Sequence, residues 1–249
     1  MKNIEYIKDY YNKYYTDKLQ SLFDKTLILQ AFKPYENDKK QGKWLSKQIG
    51  IKGNEKILEC GCGVGGVIKQ IASLYPNTDV YGINISDGQI DIANEVLKDF
   101  KNASVSIQDF TNTDYDDNTF DIVYFCESMG YSNFEKTIKE AIRILKPKGK
   151  LYINEIVIRC NKDKLSKKEL DKLNYFIDSW FYNVFDIQTI INKMNIFDEM
   201  KLIYNSKFVK PSINWINAVR NSELKKYHNS KLSNIPPLRG ADFLYRKYK

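Results

Sequence analysis

The sequence predicts a doubly wound α/β domain. Its core is a mostly parallel seven-stranded sheet with helices on both faces, with N-terminal helices before it and a helical insertion after the fifth strand. Three observations predict it. From residue 55, short apolar runs alternate with amphipathic segments, the pattern of parallel strands covered on both faces by helices. The first run, Lys56-Ile57-Leu58-Glu59, opens into the glycine-rich turn Gly61-Cys62-Gly63-Val64-Gly65-Gly66 and then a helix. The 249 residues are 43% hydrophobic and 28% charged, which suits a single globular domain with one core.

The elements follow in order. Residues 4–50 read as helical, with segments at 4–22, 25–32 and 38–49. Pro34 breaks the second from the third, and Gly50 stands where a helix C-cap glycine is expected. The first segment carries Tyr6, Tyr10, Tyr11, Tyr14 and Tyr15, several of them on one helical face. Strands are expected at 56–59, 79–85, 103–108, 120–126 and 150–158. Helices fall between them at 67–74, 87–99 and 134–145, the second capped by Ser86 or Asp87 and the last stopped by Pro147 and Gly149. After residue 160 the rhythm breaks. Residues 163–185 and 186–194 read as helices, 198–206 as a strand, 211–226 as a helix and 243–248 as a final strand. Residues 1–50 are thus expected to form an N-terminal helical cap. Residues 51–249 form the main body, with a substrate-side insertion at about 160–195, all within one structural domain.

Composition excludes several function classes. No apolar run approaches the ~20 residues of a membrane span, and Met1-Lys2-Asn3-Ile4-Glu5-Tyr6 lacks a signal-peptide core; a cytoplasmic location is expected. Cys60, Cys62, Cys126 and Cys160 follow no metal-finger spacing and read as reduced thiols, so no metal is expected. The net charge of +8 is concentrated at one end, since residues 201–249 hold eleven Lys/Arg and two Asp/Glu. That end could meet a phosphorylated substrate or, peripherally, an anionic membrane. A nucleic-acid partner is disfavoured, because no aromatic–basic binding module is present. The oligomeric state is not legible.

The glycine turn carries the chemistry. Gly61-x-Gly63-x-x-Gly66 also satisfies the dinucleotide fingerprint. Two residues argue against that ligand. Glu59 stands beside the turn, where its carboxylate repels a pyrophosphate and attracts a cation. Asn84 ends the next strand where dinucleotide folds place an acid.

Glu59-x-Gly61-x-Gly63-x-Gly65 resembles motif I of the class I S-adenosylmethionine-dependent methyltransferases. Gly82-Ile83-Asn84-Ile85-Ser86, with Gln89 beyond it, resembles the second-strand segment of their sterol, isoprenyl-diphosphate, tocopherol and cyclopropane-synthase branch. Gln108-Asp109-Phe110, Phe120-Asp121-Ile122-Val123-Tyr124 and Ala141-x-Arg143-x-Leu145-Lys146-Pro147-x-Gly149-x-Leu151 resemble the later motifs, so the likeness covers about residues 55–158. The resemblance implies a Rossmann-like fold and S-adenosyl-L-methionine as cofactor. It implies that Glu59 orders the methionine end and that Gly61, Gly63 and Gly65 let the ligand lie close. Asn84 and Gln89 face the ribose, Asp109 takes the adenine amino group and Phe110 packs on the ring. Cys62, Ile85 and Glu127 complete the implied cofactor contacts. Many relatives carry an acid at Asn84; an amide still donates and accepts to a diol.

The acceptor is less legible. Glu127, in Cys126-Glu127-Ser128-Met129, follows an apolar strand and so lies at its carboxyl end. In the isoprenyl-diphosphate and sterol C-methyltransferases a Glu at this point is associated with cation stabilisation and proton removal. Aromatic faces attract cations, and Tyr10-Tyr11, Tyr14-Tyr15, Tyr175-Phe176 and Trp180-Phe181-Tyr182 are clustered. Glu127, Tyr14 and Tyr15 are therefore the catalytic candidates. The lone His228, beside lysines, is a weak candidate base. The expected activity is methylation of a small, largely apolar molecule, an isoprenoid or related lipid, at carbon. A small amine or hydroxyl acceptor is the alternative. Methylation of nucleic acid is disfavoured by the absence of an Asn/Asp-Pro-Pro-Tyr-like motif after the fourth strand, and a non-catalytic cofactor-binding module is the remaining alternative.

Overall fold

A computed structural model describes residues 4–12, 26–158, 160–180, 182–205 and 238–248. After helices α1 (Ile4–Tyr10) and α2 (Asp38–Ile49), strand and helix alternate. They run β1 (Lys56–Cys60), α3 (Gly66–Leu74), β2 (Asp79–Asn84), α4 (Asp87–Leu97), β3 (Ala103–Ile107), β4 (Phe120–Cys126), α5 (Phe134–Ile144) and β5 (Leu145–Ile158). There follow α6 (Lys167–Trp180), β6 (Phe185–Asp186), α7 (Ile187–Met194), β7 (Met200–Asn205) and β8 (Leu238–Lys247).

Seven strands lie in the order β3-β2-β1-β4-β5-β8-β7, and the two-residue β6 pairs with the end of β5. β1 to β5 run parallel; β8 is antiparallel to both neighbours. The chain winds outward from β1 to β3 and then crosses to β4, which creates a switch point between β1 and β4. Ligands of open parallel sheets bind in the crevice at the carboxyl ends of such a pair. Helices α2, α3 and α4 bury Leu45, Ile68, Ile71 and Ile90 on one face, and α5 and α7 bury Ile138, Ala141 and Ile190 on the other. Among the described residues, no helix is long and apolar enough to cross a membrane.

Local chemistry explains most boundaries. Ser86 caps α4 by accepting the Gln89 N–H at 3.3 Å, and Asn133 and Asp186 cap α5 and α7 in the same way. Ser166 and Glu169 exchange hydrogen bonds ahead of α6, a capping box that begins this helix later than residue 163. The turn expected at Pro147 and Gly149 is a bulge inside β5. Leu145 already pairs with Phe120, the register then shifts, and Lys148 takes φ +69°.

One expected helix is absent. Residues 26–32 form an extended strap, although their apolar residues also suit a helix. Ile28 and Phe32 are buried, but the backbone donors are drawn outward. Leu27 N–H donates to Asp38 at 2.7 Å, and Ala31 and Phe32 N–H donate to Glu127 at 2.5 and 2.7 Å. Gln30 donates to Asn154 on β5 and accepts from Gln41 on α2. A helix needs those backbone donors for itself, and tertiary acceptors took them instead. The expected helix at 211–226, His228 and most of the basic C-terminal part lie outside the described residues.

Candidate active site

A cavity of about 320 Å³ opens at the switch point. Its first wall is the glycine turn. The N–H groups of Gly61 and Cys62 both donate to the Ile83 carbonyl, at 2.8 and 3.0 Å, which ties the turn to β2. Gly61 has φ +78°, and a Cβ there would stand 2.4 Å from the Ser128 Cβ. Ser128 in turn donates to the Cys60 carbonyl at 2.6 Å, so the ends of β1 and β4 close on one another.

Gly63 and Gly65 diverge. Gly63, at φ +53°, borders the cavity, and a Cβ on it would meet nothing within 4 Å. Gly65, at φ +78°, turns away. A Cβ there would lie 3.3 Å from Ala93 and Leu97 of α4, and it does not border the cavity. Gly65, expected against the ligand, thus stands behind the cavity wall, where its bare backbone faces α4.

The remaining implied cofactor residues, Glu59, Gly61, Cys62, Gly63, Asn84, Ile85, Gln89, Asp109, Phe110 and Glu127, all border this one cavity. Glu59 is 3% exposed and accepts the Tyr124 hydroxyl at 2.9 Å. Burial pushes its carboxyl up to about 8, against the opposing hydrogen bond of Tyr124. Asn84 donates to Gln89 at 2.7 Å, so the two amides form one unit. Asp109 accepts the Thr111 N–H at 2.8 Å, and the Phe110 ring stands edge-on to Phe125.

The opposite wall is aromatic. Glu127 leaves β4 with φ +52°, and both of its oxygens accept the strap N–H groups. Burial pushes its carboxyl up to about 8, while the Ala31 and Phe32 N–H groups pull it down. Beside it the Tyr131 ring meets Tyr182 edge-on at 4.7 Å and Tyr11 at 5.4 Å. A Cβ on Gly130 would lie 2.3 Å from the Tyr182 ring, so that ring rests on bare backbone. Ile4 and Ile7 of α1, with Tyr11 just after it, border the same cavity. The Ser86 hydroxyl donates to Asn12 at 2.6 Å, and Lys8 pairs with Asp87 at 2.9 Å.

Tyr14 and Tyr15 lie outside the described residues. The residues that sequence reasoning missed are Ser128, Tyr131 and strap residues 27–31. Tyr131 follows Glu127 closely and could have been found by extending the β4 motif; no local signal marks the strap. Among the described residues, no group of three His, Cys, Asp or Glu side chains is placed to hold a metal ion.

Three carboxylates, of Glu59, Asp109 and Glu127, border the cavity, with open space above Gly63. A cation lying on the bare backbone favours their ionised forms, whereas a pyrophosphate opposes them. A methyltransferase-domain family model matches residues 51–212. The chain belongs to that family, the class I methyltransferases. A sterol 24-C-methyltransferase of Kluyveromyces lactis is 35% identical over 139 residues, 54% of this chain and 37% of that protein. The chain spans between 30% and 40% of the length of the sterol methyltransferases it matches. An uncharacterized protein of Methanocaldococcus jannaschii is 30% identical over 83% of this chain and 80% of its own. The fold is that of the geranyl diphosphate C-methyltransferase of Streptomyces coelicolor, solved with geranyl diphosphate and S-adenosyl-L-homocysteine. The TM-score is 0.75 at 16% identity, over 98% of this chain and 97% of that one.

Proposed function

We propose that this methyltransferase uses S-adenosyl-L-methionine to methylate a small, largely apolar molecule at carbon, an isoprenoid or related lipid. The observation that carries this reading is the pairing of Glu127 with an aromatic wall, Tyr11, Tyr131 and Tyr182, in the cavity that Gly63 and Glu59 border. Bound there, the cofactor supplies an electrophilic methyl group carried on a sulfonium. Gly63 leaves room for it, Asn84 and Gln89 offer paired amides to its ribose, and Asp109 and Phe110 receive the adenine. An alkene that gains a methyl group becomes positively charged at the neighbouring carbon. The tyrosine faces stabilise that charge, and Glu127 accepts the proton whose loss restores the double bond. The described part of the N-terminal 50 residues acts as a cap, with Ile7 and the strap excluding water from the reacting atoms. Among the described residues bordering the cavity, Lys136 is the one cation, a partner for an anionic head group at the mouth.

The three carboxylates around the cavity favour a second reading, an amine acceptor whose ammonium they would hold. Labelled S-adenosyl-L-methionine separates the two when prenyl diphosphates are screened against small amines. Label in a prenyl product supports methylation at carbon; label only in amines removes it. Failure of both S-adenosyl-L-methionine and S-adenosyl-L-homocysteine to bind in calorimetry would remove the cofactor.

The glycines give a sharper test. In Gly63→Ala the new Cβ enters the cavity. Affinity for S-adenosyl-L-homocysteine is expected to fall at least tenfold, with left-handed strain of about 1–2 kcal/mol as the main stability cost. Gly65→Ala adds contact with α4 to the same strain, so its Tm falls further while its folded fraction binds normally. The reverse pattern would show that Gly65, not Gly63, faces the ligand.

A further inference from the structure

Behind the aromatic wall lies a buried carboxylate to which the reaction assigns no part. Glu155, on β5, is 3% exposed and does not border the cavity. Its Oε1 accepts the backbone N–H groups of Ser128 and Met129, at 3.0 and 2.8 Å. Immediately before them, Glu127 N–H donates to the Asn154 carbonyl at 2.7 Å. Three consecutive backbone donors are thus taken up by two consecutive residues of β5. The turn they hold carries Glu127 at φ +52°, a conformation that persists for a glutamate where the surroundings over-determine it. The other oxygen of Glu155 accepts the Tyr182 hydroxyl, and the Tyr182 ring forms the cavity wall against Gly130 and Tyr131.

We propose that Glu155 is a positioning residue: it fixes the 127–129 turn that aims Glu127 into the cavity and, through Tyr182, sets the aromatic wall against it. Once ionised, a carboxylate suits this place because it is acceptor-only and can satisfy three donors at once. A residue serving packing alone would not need a charge at this depth, where an ion is costly. The groups facing Glu127 come from three sides: the strap brings the Ala31 and Phe32 N–H groups and Lys33, β5 brings Glu155, and the wall brings Tyr131 and Tyr182. Glu155 pushes the Glu127 carboxyl up, whereas Lys33 and the two N–H groups pull it down.

The experiment is hydrogen exchange of the full chain carrying Glu155→Gln. The amide keeps one acceptor but loses the charge. Exchange at Ser128 and Met129 is expected to quicken by about tenfold, the equivalent of one net hydrogen bond. The diagnostic amides are Ala31 and Phe32, which Glu155 does not touch and Glu127 holds; they are expected to quicken comparably. Acceleration at Ser128 and Met129 with Ala31 and Phe32 unchanged would overturn the proposal. Tyr182→Phe, which keeps the ring and removes the hydroxyl, is the second variant. It should quicken the same four amides less, and no change at Ala31 and Phe32 in it would overturn the proposal if Glu155→Gln does not fold. The activity arm alone rests on the methyl-transfer reading. With geranyl diphosphate as the acceptor probe, the acid limb of kcat/KM should move to lower pH in Glu155→Gln, by on the order of one unit, with KM for S-adenosyl-L-methionine unchanged. An unmoved limb would overturn the proposal. A wild-type chain inactive on geranyl diphosphate would instead remove that acceptor and leave the exchange result standing.

Discussion

Glu127→Gln is expected to lower turnover by about 10²–10⁴-fold, the usual contribution of a positioned general base. Affinity for S-adenosyl-L-homocysteine should stay within a few-fold of wild type, because Glu59, Asn84, Asp109 and Gly63 also border the cavity and are left unchanged. Glutamine is nearly isosteric and keeps one oxygen for a strap N–H, so the fold survives. It cannot hold a negative charge beside a cation or accept a proton. The wild-type pH profile should carry the same signature. Glu127 acts as a base only when ionised, and its carboxyl in the free enzyme is pushed up to about 8. The kcat/KM profile should therefore fall below about pH 8. The kcat profile should fall at lower pH, because a bound sulfonium favours the ionised form. Calorimetry and single-turnover rates on the same variant decide the matter. Full turnover by Glu127→Gln would show that the proton leaves by another route.

The stability of the ligand-free chain is expected to fall as the pH rises from about 5 to 8. Glu59 and Glu127 are pushed up to about 8 and Glu155 to about 7, in each case chiefly by burial. In the unfolded chain these carboxyls lose their protons near the ordinary 4.5. Between those values the folded chain holds protons that the unfolded chain has released, so rising pH favours unfolding. The loss should be on the order of a few kcal/mol, the pairwise coupling and the open cavity keeping it below the full sum. Thermal melts at pH 5, 6.5 and 8 measure it, and Glu59→Gln should flatten the slope. Ligand acts in the opposite sense: a cation in the cavity stabilises the ionised carboxylates, so S-adenosyl-L-methionine should bind more tightly at pH 8 than at pH 6. A Tm that climbs steadily from pH 5 to 8 would contradict this account.

Both expectations concern carboxylates that were legible in the sequence to different degrees. Glu59 was marked by its place two residues before Gly61, and Glu127 by following an apolar strand. Both signals are local, and strand ends of a parallel sheet converge by topology, so the structure brings both to one cavity. Glu155 gave no such signal. It sits within an apolar strand, and its partners Ser128 and Tyr182 are each 27 residues away. The strap departs from its local pattern for a related reason. Residues 27–32 have the apolar content of a buried helix, and only the acceptors of Asp38 and Glu127 made them extended.

The glycine turn divides along the same line. By itself, the sequence determined the parallel sheet and the acidic, glycine-lined character of the turn, because strand periodicity and turn chemistry act over a few residues. The tertiary structure alone decided which glycine borders the cavity, since Gly63 and Gly65 are alike until α4 packs against one of them. It also decided that the base candidate is held by the strap on one side and by β5 on the other. Those contacts join residues about 95 and 27 positions apart, and no local preference encodes a hydrogen bond whose partner arrives only when the sheet closes.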